Sequence, residues 1–517
     1  MNLVTAATMR EMDRIAIEER KIPSLDLMEN AALGVAEKVL RESLHRPLKR
    51  GMIVCGKGNN GGDGLAVARL LASEGLRLTI LLLCKGSDLR GDPAVNFDRL
   101  PPEVLLREID TDDDFARAED SLDETDFVID AILGTGMTGE ITGPPRKAIE
   151  LINSLEKPVF AIDIPTGVNA DTGSLLGDAV RADFTISLGL PKVGLYLYPG
   201  ADYAGEVTVV DIGLPEDVIE SFTFPLQTIE PAWAADILKP RPKNSNKGDY
   251  GRLLVIAGKT GMLGAAYMVC QGALRAGVGL VTAAVVTEDY PILAGKLIEG
   301  MTRPVSSGPN RTFHPESIDD MSDLIEAADA IAVGPGIGNE MEVRDFLRRL
   351  LTNYKGPVVI DADAIKHLRG MEELLKNRAV PGIITPHPGE FSTLTGMTKE
   401  EILADRVKAA TDLAAKLNAA VVLKGAHTVI AEPGGQVRIN FTGNPGMASG
   451  GAGDVLTGVI AGLLAQGFTS FNAATLGVFL HGLAGDLACA EFGEMSLIAS
   501  DIIDCLPRAF IWLKELD

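Results

Sequence analysis

Residues 52–71 have the sequence MIVCGKGNNGGDGLAVARLL, in which a short apolar run, a glycine-rich turn and an apolar pattern of helical spacing follow one another. The run at 52–56 has the length and composition of a buried strand, and the later apolar residues recur as on one face of a helix. In open parallel sheets, ligands bind beyond the carboxyl ends of such strands, and the amides at a helix start favour an anion. The stretch therefore predicts an α/β fold with a phosphate site at this turn.

The same alternation of strand and helix extends through the first half of the chain. Helical patterns precede the turn at 9–20 and 25–43, and further strands are expected at 78–83, 127–132 and 159–163. Near-continuous apolar strands separated by helices indicate a parallel sheet with helices on both faces. We therefore expect an N-terminal doubly wound, Rossmann-like three-layer α/β sandwich.

The pattern lapses between residues 222 and 247, a stretch with four prolines and a polar end. Such segments are typical of domain boundaries. Strand candidates then resume at 252–257, 280–286, 330–333, 357–361, 382–385 and 419–423. The sequence thus predicts a first domain at 1–225, a linker at 226–246 and a second doubly wound α/β sandwich at 247–517.

Composition and charge exclude several classes of protein. The 48 basic and 71 acidic residues give a net charge of −23, which opposes binding to nucleic acid or to an anionic membrane. Five cysteines without a CxxC pair predict reduced thiols rather than disulfides or structural zinc. The apolar runs are too short or too rich in glycine to span a bilayer, and the N-terminus has no signal-peptide core, so a cytoplasmic protein is expected.

A second glycine-rich loop lies near the other end of the chain, at 450–458, with the sequence GGAGDVLTG. It opens an apolar helical pattern, so its amides would point at a bound anion with Asp454 beside them. Amides that stabilise a transferring phosphoryl group, together with a carboxylate that takes the acceptor's proton, suit phosphoryl transfer. The alternative is a structural turn followed by an ordinary helix start.

Polar residues follow two further strands of the first domain. Asp130 and Asp163 end these strands, and Thr166 comes three residues after the second. Because strand ends of a parallel sheet meet at one edge, Asn60, Asp130 and Thr166 would together offer hard oxygen ligands to a cation. Asp163 is the candidate acid or base. Either aspartate alone could instead cap a helix or a turn.

These motifs resemble the NAD(P)H-hydrate epimerase domain over about residues 1–220. The similarity lies in NNGGD at 59–63, DAILGTG at 130–136 and DIPTG at 163–167. It implies a potassium ion held by Asn60, Asp130 and Thr166, although the family commonly has serine where Thr166 stands. The substrate contacts that it implies are Asn59, Asn60, Gly61, Gly62, Asp63, Gly134, Thr135, Gly136, Met137, Thr138, Gly139, Glu140 and Asp163, the last at the reacting nicotinamide hydrate.

The second half resembles NAD(P)H-hydrate dehydratases, which have a ribokinase-like three-layer fold, over about residues 247–511. The shared motifs are GPGIG at 334–338, DADA at 361–364, TPHPGE at 385–390, KGAHT at 424–428, NPG at 444–446 and GGAGD at 450–454. The substrate contacts implied are Ala265, Gly336, His387 and the catalytic Asp454. The adenine nucleotide would lie on Lys424, Gly425, Ala426, His427, Thr428, Asn444, Pro445, Gly446, Met447, Ala448, Ser449, Gly450, Gly451, Ala452 and Gly453. Ala452 stands where the family often has serine or threonine.

Together the two resemblances predict a bifunctional enzyme that repairs hydrated NADH and NADPH. The first domain would interconvert the R and S epimers, and the second would dehydrate the S form with an adenine nucleotide. The fused, prokaryote-like architecture favours ADP over ATP, with Mg²⁺ at the dehydratase site and K⁺ at the epimerase site. Relatives assemble as homo-oligomers, so a tetramer or larger is expected. The alternatives are a ribokinase-like vitamin or sugar kinase with a regulatory N-terminal ligand-binding domain, and a non-enzymatic binding or scaffold role for the first half.

Several polar residues of the second domain allow a structural explanation as well. His387 could be a turn histidine bonded to the backbone. Lys424 could be a solvated strand end, although its place before a glycine favours a phosphate or ribose contact. Asp361 and Asp363 could cap the next helix or contact magnesium or water. His481 lies in an apolar helical pattern, where a satisfied core histidine is expected.

Overall fold

The computed structural model describes residues 1–111, 114–115, 117 and 125–516 of the chain. The chain divides into two compact units, Asn2–Phe224 and the segment from Pro225 onward. Each unit has its own sheet and its own buried core. The prediction of two α/β domains with parallel sheets is confirmed.

Seven parallel strands form the sheet of the first unit within the described residues. They are β1 (Arg50–Cys55), β2 (Arg77–Leu82), β3 (Leu105–Glu108), β4 (Phe127–Ala131), β5 (Val159–Ile162), β6 (Phe184–Leu188) and β7 (Glu206–Val210). Their spatial order is β3-β2-β1-β4-β5-β6-β7. The chain order reverses between β1 and β4, which is where doubly wound sheets bind ligands.

The helices described in the first unit lie around a sheet that has a separate core on each face. They are α1 (Ala6–Arg14), α2 (Ser24–Ser43), α3 (Asn59–Ser73), α4 (Asp92–Asp98), α5 (Pro144–Ser154), α6 (Gly200–Ala204) and α7 (Glu216–Glu220). A π-helical turn, Ile15–Glu19, continues α1. Ile53 packs in one core, and its neighbours Met52 and Val54 pack in the other, because successive strand residues point to opposite faces.

The glycines of the first loop lie inside α3 rather than before it. The apolar pattern predicts a helix from about Asp63, whereas α3 already begins at Asn59, about one turn earlier. A Cβ at Gly61 would lie 1.8 Å from the carbonyl oxygen of Gly56, and one at Gly64 would lie 2.5 Å from the Cβ of Ala131. These glycines therefore let the helix approach the sheet closely, and the unpaired amides of the helix start come earlier in the chain.

Ten strands form the sheet of the second unit within the described residues. They are β8 (Leu226–Thr228), β9 (Arg252–Ile256), β10 (Leu280–Val286), β11 (Met301–Val305), β12 (Ala330–Val333), β13 (Val358–Ile360), β14 (Gly382–Ile384), β15 (Ala419–Leu423), β16 (Val429–Ala431) and β17 (Val437–Ile439). Their spatial order is β11-β10-β9-β12-β13-β14-β15-β16-β17-β8. The strands from β11 to β15 are parallel, whereas β16 is antiparallel to both of its neighbours.

The structure corrects the linker predicted at 226–246. Strand β8 pairs in parallel with β17, and a helix, Pro231–Ile237, follows it, so this part of the segment belongs to the second unit. Of the prolines that suggested a linker, Pro231 stands at the first position of its helix, where proline is compatible with regular structure. Strand β8 was missed because Gln227 stands in the middle of its three residues, so no apolar run marks it.

The remaining helices of the second unit follow the strands along the chain. In order they are α8 (Pro231–Ile237), α9 (Leu263–Arg275), α10 (Tyr290–Ala294), α11 (Ser322–Ala327), α12 (Met341–Asn353), α13 (Asp363–His367), α14 (Glu373–Lys376), α15 (Pro388–Thr395), α16 (Lys399–Ala404), α17 (Arg406–Leu417), α18 (Ala452–Ala465), α19 (Ser470–Phe492) and α20 (Ala499–Lys514). Within the described residues, α19 alone is long and apolar enough to cross a membrane, but 78% of its most apolar window is buried inside the unit. It therefore has the burial of a core helix.

Candidate active sites

A cavity of about 540 Å³ in the first unit opens beyond the carboxyl ends of β1, β4 and β5. Among the predicted epimerase residues, those that line it are Asn59, Asn60, Asp63, Gly134, Thr135, Gly136, Met137 and Asp163. Gly61 and Gly62 are buried within α3. Thr138, Gly139 and Glu140 continue the chain beyond the lining segment. The structure thus brings most of the predicted residues together at one edge of the sheet.

Asp163 forms an ion pair with Lys192, a residue that the sequence analysis did not select. The Lys192 ammonium also donates to the carbonyl oxygen of Leu188 at 2.6 Å, and the Leu188 amide donates to Oδ1 of Asp163 at 3.1 Å. Only 1% of the Lys192 side chain is exposed, so the pair is largely removed from water. The sequence does contain a sign that Lys192 has a special role, because it is the one charged residue between positions 184 and 201.

The backbone of Asp163 adopts a left-handed conformation, with φ of +68°. Aspartate and asparagine tolerate this region better than other residues with side chains. Its amide donates to the carbonyl oxygen of Ile186 at 2.7 Å, which fixes the turn. Conformations of this kind are concentrated at functional sites, where the surrounding structure enforces them. The turn directs the Asp163 carboxylate toward Lys192 in the cavity.

Two further aspartates line the cavity near Asp163. Burial, with the charges of Asp163 and Asp13, holds the pKa of Asp63 well above its usual range. Burial raises the pKa of Asp13 to about 6, while the charge of Lys192 opposes the shift and that of Asp163 adds to it. Asp13 carries no sign of this position in the sequence, since an acidic residue in an amphipathic pattern is expected to face solvent. With Asp92, which also lines the cavity, the cavity therefore combines one buried ammonium with four carboxyl groups.

Two of the predicted cation ligands, Asp130 and Thr166, are in direct contact, and Asn60 adjoins Gly134, where an added Cβ would lie 3.7 Å from its Oδ1. Oδ1 of Asp130 accepts from the Thr166 hydroxyl at 2.7 Å, and Oδ2 accepts from the Thr166 amide at 2.7 Å. The same hydroxyl lies 3.2 Å from the carbonyl oxygen of Leu133. Nδ2 of Asn60 is buried and has no hydrogen-bond partner in the part of the chain that the structure describes. These groups form a compact set of oxygen-rich side chains and backbone.

The donor set fits a hard monovalent cation. Asp130 is fully buried, and burial raises its pKa to about 6 in spite of hydrogen bonds from Thr166 and Ile132. A nearby cation would favour its ionised form. No cluster of three or more His, Cys, Asp or Glu side chains that could hold a metal ion occurs among the described residues. Carbonyl, hydroxyl and amide groups around one carboxylate suit K⁺ better than a transition metal.

The second predicted site lies at the N-terminus of α18. Gly451 has φ of +93°, and a Cβ there would lie 2.2 Å from Sδ of Met268, so glycine is required. A Cβ at Gly450 would meet nothing within 4 Å, so this side of the turn is open. The Val455 amide donates to the carbonyl oxygen of Gly451 at 3.1 Å. The amides that precede Val455 in the first turn of α18 have no acceptor inside the helix, so they favour binding of an anion.

Asp454 lies in the first turn of α18, beside this loop. Burial raises its pKa to about 6; the charge of Asp361 adds to the shift, and the charge of Lys424 opposes it. A carboxyl group with a pKa near the working pH can both accept and release a proton. The position and the environment of Asp454 are therefore those of a candidate general base.

Lys424 lies at the same loop, in a network of buried charges. Its Nζ lies 2.8 Å from Oδ1 of Asp361 and 3.7 Å from Oε2 of Glu390. The Thr457 hydroxyl donates to Oδ2 of Asp361 at 2.6 Å. A Cβ at Gly453 would lie 3.6 Å from the ammonium. Burial lowers the pKa of Lys424, but Asp361 and Glu390 outweigh this effect and the net shift is upward, so the ammonium stays charged at the loop.

The structural explanations considered for these residues are settled by their contacts. Lys424 is not a solvated strand end, because its side chain is 19% exposed and paired with Asp361. Asp361 does not cap a helix, since both of its oxygens accept from Lys424 and Thr457. Asp363 lies in the first turn of α13, where its Oδ2 accepts from the Gly338 amide at 3.1 Å.

His387 is both a helix cap and a surface residue. Its Nδ1 accepts from the amides of Gly389 at 2.9 Å and Glu390 at 3.2 Å, and the His387 amide donates to Oε2 of Glu390 at 3.0 Å. The bonded turn histidine anticipated as an alternative is therefore present. Since 55% of its side chain is exposed, the ring can also contact a ligand. Ala265 and Gly336 adjoin each other, because a Cβ at Gly336 would lie 3.3 Å from that of Ala265.

Two residues that the sequence analysis missed support the predicted nucleotide segments. Arg406 is 4% exposed, and it donates to the carbonyl oxygens of Ala426 at 2.6 Å and Leu423 at 3.3 Å. Asp486 accepts from Nδ2 of Asn444 at 2.9 Å. Both charged residues lie in helices, where the sequence gives no sign that they face inward.

Two buried polar atoms near the same segments have no hydrogen-bond partner within the described ranges, namely Oγ of Ser449 and Nε2 of His481. Burial lowers the pKa of His481 to about 4, so its ring is neutral. His481 is thus buried as expected, but it is not fully satisfied by the protein. Unpaired buried polar atoms of this kind are compatible with a bound ligand or water.

Comparisons with known proteins match both halves of the chain. A family model described as NAD(P)H-hydrate dehydratase matches residues 253–508, and one described as YjeF-related protein N-terminus matches residues 24–194. The bifunctional NAD(P)H-hydrate repair enzyme Nnr of Moorella thermoacetica is 41% identical over 519 residues, covering 100% of this chain and 98% of that protein. The enzyme of the same name from Escherichia coli is 34% identical over 508 residues, covering 97% of this chain and 93% of that protein.

A solved structure matches the second half. It is the ADP/ATP-dependent NAD(P)H-hydrate dehydratase from Bacillus subtilis co-crystallized with ATP/Mg²⁺, which is 32% identical, with a TM-score of 0.48, over 56% of this chain and 98% of that chain. The full-length relatives are similar to this chain across both units, and the resemblance expected from the sequence motifs is confirmed. The chain belongs to the family of bifunctional NAD(P)H-hydrate repair enzymes.

Proposed function

We propose that the cavity of the first unit binds hydrated NADH and NADPH and epimerises C6, and that the α18 loop of the second unit dehydrates the S epimer with ADP, giving AMP and phosphate. Family membership supports both activities. The observation that carries the dehydratase assignment is the placement of Asp454 and Lys424 at one glycine-rich helix start. The fusion is chemically coherent, because the epimerase supplies the isomer that the dehydratase consumes.

In the epimerase cavity, Asp163 is placed to exchange a proton with the C6 hydroxyl. The C6–O bond breaks as the lone pair of the ring nitrogen forms a double bond to C6, and the departing oxygen leaves as water after it gains a proton. Water then adds to the other face and loses a proton, which regenerates the carbinol in the opposite configuration. The Lys192 ammonium holds the Asp163 carboxylate in position for this exchange.

In the dehydratase site, Asp454 takes the proton of the C6 hydroxyl as that oxygen attacks the terminal phosphoryl group of ADP. The loop amides and the Lys424 ammonium stabilise the negative charge of the transferring group. The P–O bond to AMP breaks, and the substrate becomes a phosphate ester. The C6–O bond then breaks with phosphate as leaving group, and loss of a proton from C5 restores the double bond. Phosphate leaves far more readily than hydroxide.

The residues present favour direct binding of the nucleotide, whereas the metal ion would have few direct protein ligands. The nucleotide would lie on the segments at 424–428 and 444–453, and ADP is proposed over ATP. Both oxygens of Asp361 are already bonded, and Asp363 accepts from Lys366 and Gly338. Mg²⁺ would therefore be held mainly by the nucleotide's phosphates, where it would neutralise the charge on the transferring group.

One assay separates this function from that of a vitamin or sugar kinase. The chain is incubated with hydrated NADPH and either ADP or ATP, and the near-ultraviolet absorbance of the dihydronicotinamide ring is followed. Its recovery, together with release of AMP when ADP is used, is the expected result. A kinase would phosphorylate a vitamin or a sugar and leave the hydrate unchanged.

The K⁺ site leads to a first prediction. Asp130→Asn removes the only carboxylate of the Asn60, Asp130 and Thr166 set, so a bound cation would lose its charge partner. We expect K⁺ to raise the unfolding temperature and the epimerisation rate of the unmodified chain but not of the variant. The measurement compares KCl with choline chloride at equal ionic strength, with Asp178→Asn as a surface control. Equal responses of Asp130→Asn and the unmodified chain to K⁺ would exclude the site.

We also propose a cellular location and an assembly for the chain. A cytoplasmic enzyme is consistent with five free cysteines. A homo-oligomer of four or more copies is proposed from the behaviour of the family. Light scattering of the purified chain tests the oligomer, and a monomer at working concentration would exclude it.

A further inference from the structure

Asp13 occupies an unusual place for a charged residue, on the buried side of α1. Met9, Met12 and Ala16 are buried at 5%, 0% and 0% exposure, and helical spacing puts Asp13 on the same side as Met9 and Ala16. A carboxyl group on such a face reduces the stability of the fold unless it is paired or hydrogen-bonded. Asp13 therefore needs an explanation beyond ordinary packing.

The contacts of Asp13 do not supply a structural role. Its Oδ1 is buried and has no hydrogen-bond partner among the residues that the structure describes. It lies inside α1 and not at its start, where the Thr5 side chain is the cap. Instead, Asp13 lines the same cavity as Asp163. A half-buried carboxyl group that lines a cavity and has one buried, unpaired oxygen is placed to interact with whatever fills that cavity.

The charges around Asp13 distinguish it from Asp163. Lys192 is bonded to Asp163 and to the carbonyl oxygen of Leu188, so its ammonium is already engaged. The other charged residues that line the cavity are Asp63, Asp92, Arg10 and Lys57, of which Arg10 and Lys57 are solvent-exposed. Burial therefore dominates at Asp13 and raises its pKa to about 6. One carboxyl group of the site has an ammonium partner and the other does not.

Epimerisation at C6 requires two proton transfers. The departing hydroxyl must gain a proton to leave as water, and the water that returns to C6 must lose one. Two carboxyl groups in different environments commonly divide such roles, the unpaired one as acid and the paired one as base. We propose that Asp13 is the second catalytic residue of the epimerase site, donating the proton to the departing C6 hydroxyl while Asp163 receives the proton of the incoming water. Asp163 then releases its proton to solvent and Asp13 regains one, so no net proton is consumed, and in the reverse reaction the two residues exchange roles.

This inference rests on the proposed epimerase site and is tested in the full chain with Asp13→Asn. The R epimer yields absorbing NADPH only after epimerisation, whereas the S epimer requires dehydration alone, so one preparation reports both steps. We expect kcat with the R epimer to fall by about 10²-fold, with KM little changed and the S-epimer rate unaffected. Asp13→Glu should recover part of the lost rate. Glu11→Gln, on an exposed carboxyl of the same helix, is the matched control and should behave as the unmodified chain.

The pH profile separates a proton donor from a structural residue. A donor must be protonated, so epimerisation by the unmodified chain should decline as pH rises above about 6, and Asp13→Asn should lose this decline.

The raised pKa of Asp13 also determines how the folding stability of the chain changes with pH. Because the folded-state pKa lies above the ordinary value of 3.8, the folded chain loses stability as pH rises from about 4 to 6. Asp13→Asn should therefore unfold at a higher temperature than the unmodified chain at neutral pH, whereas loss of a structural contact would lower it.

The outcomes that contradict the inference are distinct from those that contradict the site. An unchanged kcat in Asp13→Asn would overturn the role of Asp13. So would a lower kcat/KM that comes from KM alone, with the same pH profile as the unmodified chain. Asp63 would then be the next candidate donor. If Asp163→Asn also converted the R epimer normally, the proposed epimerase cavity itself would be wrong. An inactive Asp163→Asn beside an active Asp13→Asn would refute only the present inference.

Discussion

Asp454→Asn is expected to lower ADP-dependent dehydration of the S epimer by about 10²- to 10⁴-fold, the range that general base catalysis contributes. Asparagine keeps the size and polarity of the side chain at the start of α18 but cannot accept the hydroxyl proton. The loop amides and Lys424 are unchanged, so ADP should still bind. The measurement is single-turnover formation of NADPH from the S epimer, combined with calorimetric titration of ADP.

The pH dependence of the same reaction gives an independent check. The base must be ionised, and burial raises the pKa of Asp454 to about 6, so the rate should rise with pH up to this value and level off above it. Asp504→Asn, a change of an exposed carboxyl in the same unit, should leave both rate and profile unaltered. A near-normal turnover of Asp454→Asn with intact ADP binding would remove Asp454 from the role of base.

Much of the fold could be predicted from local sequence patterns. The apolar runs that became β1, β4, β9 and β12 are buried on both faces, and such runs are visible without any tertiary information. Among the strands that were not predicted, β8 and β17 have a polar residue, Gln227 or Arg438, in the middle of their three residues, so no apolar run marks them. The sequence alone also does not reveal the antiparallel end of the second sheet.

The same distinction between local patterns and tertiary contacts applies to the residues of the candidate sites. Asp130, Asp163 and Asp454 could be predicted because each one stands at a strand end or a helix start, which the chain order locates. Lys192 and Asp13 could not, because their roles depend on contacts between distant segments. Lys192 lies 29 positions after Asp163, and only folding brings its ammonium to that carboxylate. Sequence patterns identify what a local turn can bind, and tertiary contacts determine which side chains complete the site.

Asp163→Asn is expected to abolish conversion of the R epimer while the S epimer is still dehydrated at the unmodified rate. Asparagine suits the left-handed backbone at this position, with φ of +68°, better than alanine does, so the turn should persist. The Lys192 ammonium would keep its bond to the carbonyl oxygen of Leu188 at 2.6 Å. The loss should therefore report proton transfer, with a fall in R-epimer turnover of about 10²- to 10⁴-fold.

The decisive comparison for Asp163 uses both epimers and two variants. Each epimer is given separately to the full chain with ADP, and NADPH formation is followed for the unmodified chain, Asp163→Asn and the surface variant Asp178→Asn, whose side chain is 49% exposed. Because dehydration occurs in the other unit, a defect confined to the R epimer assigns the effect to the first unit. Equal losses with both epimers would point to global unfolding, and an R-epimer rate equal to that of Asp178→Asn would show that another group moves the proton.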